Sequence, residues 1–227
     1  MQEYSYAPSR TATGDRSTFI VKTYLHLLGA IMAFVALEVF IFASGLALPL
    51  AQAMMGVSWL LVLGAFMVVS WLGSRIAITA ESKIAQYAAL GAYVLAEAII
   101  FVPLLLIANM RAEGVISSAA GVTAIGFVGL TAVAFITRKD FSFLRGVLLW
   151  GGFGVLLLIV AGVLFGFQLG TFFSVGMVVF AGAAILYDTS NVIHHYPEDR
   201  YVGASLALFS SVALMFWYVL RIFMSRD

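Results

Sequence analysis

Cysteine is absent from the chain, and charged residues make up only 10% of its 227 positions. The missing cysteine excludes disulfides, thiolate metal sites and cysteine nucleophiles. A soluble domain has about 25% charged residues, so a chain that is 63% hydrophobic has too little polar surface to face water. The net charge of +1 gives no reason to expect a nucleic-acid partner. These features predict an integral membrane protein in contact with a lipid bilayer.

Several enzyme classes are excluded by missing residues. The lysines are Lys22, Lys83 and Lys139, and none lies in the last apolar segment, where a retinal protein needs its Schiff base. The histidines lie at the ends of apolar segments, and no Gly-x-Ser-Gly sequence, P-loop or dinucleotide fingerprint occurs. The sequence therefore favours a protein that is not an enzyme and carries no cofactor.

Apolar runs fill most of the chain. Because lipid offers backbone groups no hydrogen-bond partner, each span must be a helix of about 20 residues. The first run is long enough to span and is too long for the apolar core of a cleaved signal. The sequence predicts an all-α integral membrane protein, with a flexible cytoplasmic tail over 1–20 and a single seven-span bundle over 21–227. The predicted spans are 23–44, 57–77, 84–108, 115–137, 144–166, 170–192 and 202–224, and the segment 45–56 is predicted as the loosest connection.

Lysine and arginine predict the orientation of the bundle. Nine of these residues fall on the face that carries the N-terminus, and Arg111, Arg221 and Arg226 fall on the other. The N-terminus is therefore expected in the cytoplasm and the C-terminus outside. If the last segment entered the membrane and returned, both termini would be cytoplasmic.

Three acids fall inside the predicted spans: Glu38, Glu97 and Asp188. A charged carboxylate at the centre of a spanning helix costs roughly 2.5–3.5 kcal/mol, so such acids usually face the bundle interior and mark a pathway or a relay. Glu97 lies deepest, six residues before Pro103, and is expected inside the bundle in its neutral form. Each acid could instead be structural, and Asp188 could be an interfacial residue touching water.

The connection after the sixth span contains His194 and His195 close to Glu198 and Asp199. Imidazole and carboxylate groups bind transition metals, but adjacent histidines on a loop usually point in different directions. No metal site is predicted.

Three stretches carry a resemblance to a known family. TRKDFSFL at 137–144, ILYDTSNVIHH at 185–195 and YVGASLALFSSVALMFWYVLRI at 201–222 resemble the connection between the fourth and fifth spans, the end of the sixth span, and the last span of the Bax inhibitor-1/YccA-like membrane proteins. The motif residues are Lys139, Asp140, Tyr187 and Asp188. The resemblance covers the chain from about residue 18 and implies a seven-transmembrane bundle of the Bax inhibitor-1 type in the bacterial inner membrane.

The resemblance also implies a site. Asp188 resembles the first of two aspartates that face each other across the last two spans in many members. These form a proton-sensitive pair thought to control a calcium leak. Ser211 stands where the second aspartate is expected, so the pair is halved here. The YccA-like branch, which tends to lack the second acid, resembles this sequence better.

The sequence is compatible with three functions. One is an interaction protein that modulates membrane-protein quality control by binding a membrane-anchored AAA protease through its N-terminal tail or its spans. Another is a pH-sensitive calcium or proton leak through the bundle, with Asp188, Ser211, Glu97 and Glu38 as candidate ion or proton sites. The third is a scaffold without transport.

Overall fold

The computed structural model describes residues 10–111 and 113–225, with side chains from residue 15 onward. Within these ranges the chain forms eight α-helices and no β-strand. Their bounds are α1 Arg10–Ala43, α2 Ala47–Met55, α3 Trp59–Thr79, α4 Lys83–Arg111, α5 Val115–Thr137, α6 Leu144–Phe165, α7 Thr171–His194 and α8 Tyr201–Met224.

Seven of these helices are long and apolar enough to cross a bilayer. The shortest, α3, has 21 residues, which at about 1.5 Å per residue matches the roughly 30 Å hydrocarbon core. The predicted seven-span helical bundle is thereby confirmed, and the protein is a multi-pass membrane protein. The predicted sixth and seventh spans are α7 and α8, which pack against each other across the short connection that contains Pro197.

The segment 45–56 is not the loose connection that the sequence predicted. It contains α2, which packs on α4 and buries Ala47 and Ala51, one helical turn apart. Gly45 adopts a positive φ of 75°, which lets the chain turn sharply after α1. Pro49 falls in the first turn of α2, where a missing N–H breaks no helical hydrogen bond.

The first helix begins earlier than predicted. Residues 10–20, which the sequence assigned to the flexible tail, belong to α1, and the side chain of Phe19 is only 1% exposed. Residues 1–9 of the predicted tail lie outside the described residues. The division into a tail and one membrane domain stays a prediction.

Hydrogen bonds group the helix connections at two ends of the bundle. The basic end holds the start of α1 and the α3–α4, α5–α6 and α7–α8 connections. There Lys83 donates to the carbonyl of Asp199, and Arg200 donates to the carbonyl of Ala80. At the opposite end, Arg111 Nη1 donates to the Met224 carbonyl at 2.9 Å, so α8 crosses the bundle once. Which end faces the cytoplasm stays a prediction.

Helix α8 occupies the centre of the bundle. It packs against α1, α3, α4, α5 and α7. Its contact with α3 is close because residue 203 is glycine. A Cβ atom there would lie 2.8 Å from the Ala77 carbonyl oxygen and 3.1 Å from its carbonyl carbon. Both are backbone atoms, which cannot move aside as a flexible side chain can.

Gly203→Ala is expected to destabilise the protein by about 1–3 kcal/mol, because the added methyl group forces α3 and α8 apart. Gly91→Ala on α4 is the matched control, since a Cβ atom there meets nothing within 4 Å. The control should leave stability unchanged or raise it by about 0.5–1 kcal/mol through helix propensity. Reversible unfolding of the purified variants measures both effects. Equal stabilities would mean that α3 and α8 are not in this close contact.

Candidate functional site

Asp188 on α7 and Ser211 on α8 meet inside the bundle. Ser211 Oγ donates a hydrogen bond to Asp188 Oδ2 at 2.6 Å, and the two residues are only 7% and 9% exposed. Asp188 lies six residues before the end of α7 at His194, or about 9 Å along the axis. Asp188 is therefore buried and is not an interfacial residue in water. Ser211, which the resemblance aligns with the family's second aspartate, is thus in direct contact with Asp188.

Glu97 belongs to a different cluster, at the middle of α4. The Tyr93 hydroxyl, one turn earlier on the same helix, lies 2.9 Å from Glu97 Oε1 and 2.8 Å from Ser210 Oγ on α8. A phenol has one proton, so Tyr93 bridges the two groups by donating to one and accepting from the other. Glu97 is 6% exposed and lies inside the bundle, and α4 continues through Pro103.

The Glu97 cluster lines a cavity of about 640 Å³ whose wall includes Arg221. Asp188 and Ser211 are not part of that wall. Ser210 and Ser211 are neighbours on α8, but successive helical residues point about 100° apart. Ser210 therefore contacts α4 while Ser211 contacts α7, and the two acids occupy separate sites.

Glu38 occupies a third site. It lies on α1, is 7% exposed, and faces a cavity bounded by α1, α4, α5 and α8. Neither carboxylate oxygen has a hydrogen-bond partner among the described residues. The structure thus pairs Asp188 with Ser211 but separates this pair from Glu97 and from Glu38.

The first two family motifs meet at the basic end. Asp140 Oδ1 accepts a hydrogen bond from the Ser142 backbone N–H at 2.8 Å, and Asp140 Oδ2 lies 3.1 Å from His195 Nε2. The Ser190 hydroxyl accepts a bond from the Phe141 N–H at 2.9 Å. The aspartate and the phenylalanine of the first motif are therefore local structural residues that hold the α5–α6 connection against the end of α7.

The other two motif residues show no such role. Lys139 is exposed in the α5–α6 connection, and Tyr187 is half-buried on α7 beside Asp188. His195 is engaged with Asp140, and the rings of His194 and His195 lie 6.1 Å apart. Among the described residues no group of three histidine or acidic side chains is arranged to hold a metal ion.

An arginine on α1, which the sequence analysis did not single out, caps α7. Arg16 Nε donates to the Ile193 carbonyl at 3.1 Å, and Nη2 donates to the Val192 carbonyl at 2.6 Å. Nη1 donates to the Tyr196 carbonyl. The last carbonyls of a helix lack partners within it, and a cation is stabilising there. We call this set of bonds the Arg16 clamp.

The sequence holds a signal for the Arg16 clamp. Arg16, Phe19 and Thr23 follow the i, i+3, i+7 spacing of one helical face. Phe19 and Thr23 are 1% and 0% exposed. A charged residue at the end of a buried face indicates a partner on another helix. The half-buried side chain of Tyr196 lies at the same end, and burial raises the pKa of its hydroxyl above the ordinary value.

Asp140 should make the basic end sensitive to acid. The Ser142 N–H and, after it, the His195 side chain lower the pKa of Asp140 below its ordinary value of 3.8. The Asp140 carboxyl therefore binds a proton more readily in the unfolded chain than in the folded protein. Ionised Asp140 stabilises the fold above pH 3.8, and this stabilisation is lost as the pH falls through the lowered pKa. Asp140→Asn should therefore flatten the fall in thermal midpoint on acidification.

Asp199→Asn is the control for this experiment. Asp199 is an exposed acid at the same end, 3.1 Å from the guanidinium of the adjacent Arg200, and exposed pairs of this kind contribute little. Its pH profile should match that of the parent protein. A parental profile for Asp140→Asn would contradict the role given to Asp140.

Comparison with known proteins agrees with the motifs. The chain is 41% identical to an uncharacterized protein of Pseudomonas aeruginosa over 112 residues, which is 48% of this chain and 49% of that protein. It is 38% identical to the modulator of FtsH protease YccA of Escherichia coli over 116 residues, which is 50% of this chain and 52% of that protein. It is 35% identical to Bax inhibitor 1 of Schizosaccharomyces pombe over 105 residues, which is 42% of this chain and 37% of that protein.

The chain thus spans about half the length of the curated relatives that it matches. The match to a protein family covers more of the chain than these relatives do. The family described as inhibitor of apoptosis-promoting Bax1 matches residues 16–227. That range includes α1 from Arg16 onward, all of α2 to α8, and the three motifs. The chain therefore belongs to this Bax inhibitor family of membrane proteins.

Proposed function

We propose that this protein modulates membrane-protein quality control by binding a membrane-anchored AAA protease in a bacterial inner membrane, with its N-terminus in the cytoplasm. The observation that carries the proposal is the 38% identity to a protein named as a modulator of FtsH protease. In this proposal the chain acts as a binding partner and catalyses no reaction.

The Arg16 clamp suggests how binding restrains the protease. An AAA protease degrades a membrane protein by pulling on one end of its chain. A pull on the chain before α1 would be resisted by the hydrogen bonds from Arg16 to α7. It would also be resisted by the packing of α1 against α4 and α8. Hydrogen bonds to a charged group contribute about 1.5–3 kcal/mol each when fully formed. A protease that holds this chain and extracts it only slowly from the membrane stays occupied, and it degrades other substrates more slowly.

The test reconstitutes the full chain with a membrane-anchored AAA protease, ATP and a second membrane substrate in proteoliposomes. Degradation of the second substrate should slow when the protein is present. Deleting residues 2–9 should restore the rate, because the proposed grip is lost. Arg16→Gln should make the protein itself a faster substrate, since the capped end of α7 is released.

Arg75→Gln is the matched control for Arg16. Arg75 is an exposed cation at the same end, and its guanidinium lies 5.5 Å from the ring of Trp71 on its own helix. This variant should be degraded at the parental rate. A parent protein that leaves the second substrate's degradation unchanged would contradict the proposed function. If the variant that lacks residues 2–9 still slowed degradation of the second substrate, only the role of the tail would be contradicted.

A proton or calcium leak is the second candidate function. The observation in its favour is the buried carboxyl of Asp188, whose oxygen lies 2.6 Å from the Ser211 hydroxyl. The resemblance aligns Ser211 with the position at which many family members carry a second acid. A serine supplies one hydrogen bond but no second charge. Proton or calcium flux that depends on Asp188 would support this function. If the protein showed neither flux nor protease binding, the scaffold function would remain as the candidate.

Ser211→Asp should create a titrating pair. Two carboxyl groups at this distance cannot both ionise easily, so they share one proton and titrate as a unit. We expect a new pH-dependent step near neutrality, in thermal stability or in proton or calcium flux, that the parent protein lacks. Adding Asp188→Asn should remove the step, because a single acid then remains. An unchanged pH profile in Ser211→Asp would show that residues 188 and 211 are not coupled.

A further inference from the structure

The cavity beside Glu38 is separate from the Arg16 clamp and from the pair formed by Asp188 and Ser211. It has a volume of about 500 Å³ and lies between α1, α4, α5 and α8. This size falls within the roughly 300–1,000 Å³ range of small-molecule sites. Its wall is almost wholly apolar, and Glu38 is the one charged residue in the described wall. We call it the Glu38 cavity.

Glu38 itself lacks a partner within the described protein. The residue is 7% exposed, and neither carboxylate oxygen accepts or donates a hydrogen bond among the described residues. A buried carboxylate without a partner is costly. Both oxygens are covered by neighbouring atoms, so the Glu38 side chain must rotate toward the cavity to contact a ligand. A cation bound there would then remove the cost of the unpartnered charge.

The rest of the wall suits an organic cation. Phe34 and Phe42 lie one turn before and one turn after Glu38 on α1, so all three share a helical face. Phe127 on α5 and Phe216 on α8 complete an aromatic lining. Aromatic rings attract cations within about 6 Å of the ring centroid, most strongly when water is excluded.

A metal ion fits the same wall poorly. Calcium takes six to eight oxygen ligands, whereas the polar residues of the described wall are Glu38, Asn109 and Thr123. The Thr123 hydroxyl already donates to the Ala119 carbonyl at 2.8 Å. A cation that carries its own apolar groups needs no such ligand set.

We propose that the Glu38 cavity binds a lipophilic organic cation, whose ammonium centre lies against the Glu38 carboxylate and whose apolar groups contact the phenylalanine rings. The site is distinct from the proposed protease function and adds a small-molecule ligand to this chain.

Binding is tested on the full chain in nanodiscs, with empty nanodiscs subtracted. The probes are benzyltrimethylammonium and its neutral carbon isostere, neopentylbenzene. The cation should bind at least about tenfold more tightly than the isostere, which corresponds to about 1.4 kcal/mol. Glu38→Gln should abolish this preference. Glu113→Gln should keep it, because Glu113 is an exposed acid in the α4–α5 connection.

A second variant locates the site without changing Glu38. Ala124 on α5 lines the Glu38 cavity and is itself exposed, so Ala124→Phe fills space without disturbing a buried contact. It should weaken binding of both probes. Equal binding of cation and isostere in the parent would identify a pocket for lipid tails and would overturn the proposal. Cation binding that survives Ala124→Phe would place the ligand elsewhere and would also overturn it.

Discussion

The hydrocarbon core of a bilayer offers no hydrogen-bond partner, and this constraint governs where polar groups stand in the bundle. Asp188 bonds Ser211, Tyr93 bridges Glu97 and Ser210, and threonines such as Thr123 bond the carbonyl one turn back on their own helix. In each case the hydrogen-bond partner lies either on a neighbouring helix or on the same helix. Glu38 departs from this rule, because its oxygens have no partner among the described residues.

Helix α8 supplies the serine partners of Tyr93 and Asp188 because it lies at the centre of the bundle. Small residues on this helix allow neighbours to approach, as Gly203 does at the backbone of Ala77. Adjacent serines serve different neighbours, with Ser210 bonded to α4 and Ser211 to α7. A single helix can therefore support two polar sites that remain separate, and this separation argues against one continuous relay from Glu97 to Asp188.

Most of the fold could be predicted from the sequence, because the length of an apolar run and its helical geometry are local properties. The contact between Asp188 and Ser211 could also be predicted, since the resemblance of 201–222 to the family's last span sets the register of residue 211. The helix α2 could not, because its nine uncharged residues include Pro49 and are too few for a membrane span. Its packing on α4 is a tertiary contact. The early start of α1 was also not predicted, and Arg16 near that start bonds carbonyls of α7, which are far away in the sequence.

The end of α7 joins the two candidate functions in one structural element. Three separate parts of the chain hold it: Arg16 from α1, Asp140 from the α5–α6 connection, and the short link into α8. Asp188 lies within two turns of that end. The Arg16 clamp and the bond between Asp188 and Ser211 therefore lie on one short, continuous stretch of α7. The first two motif stretches and Arg16 thus meet at the end of α7, close to the buried Asp188.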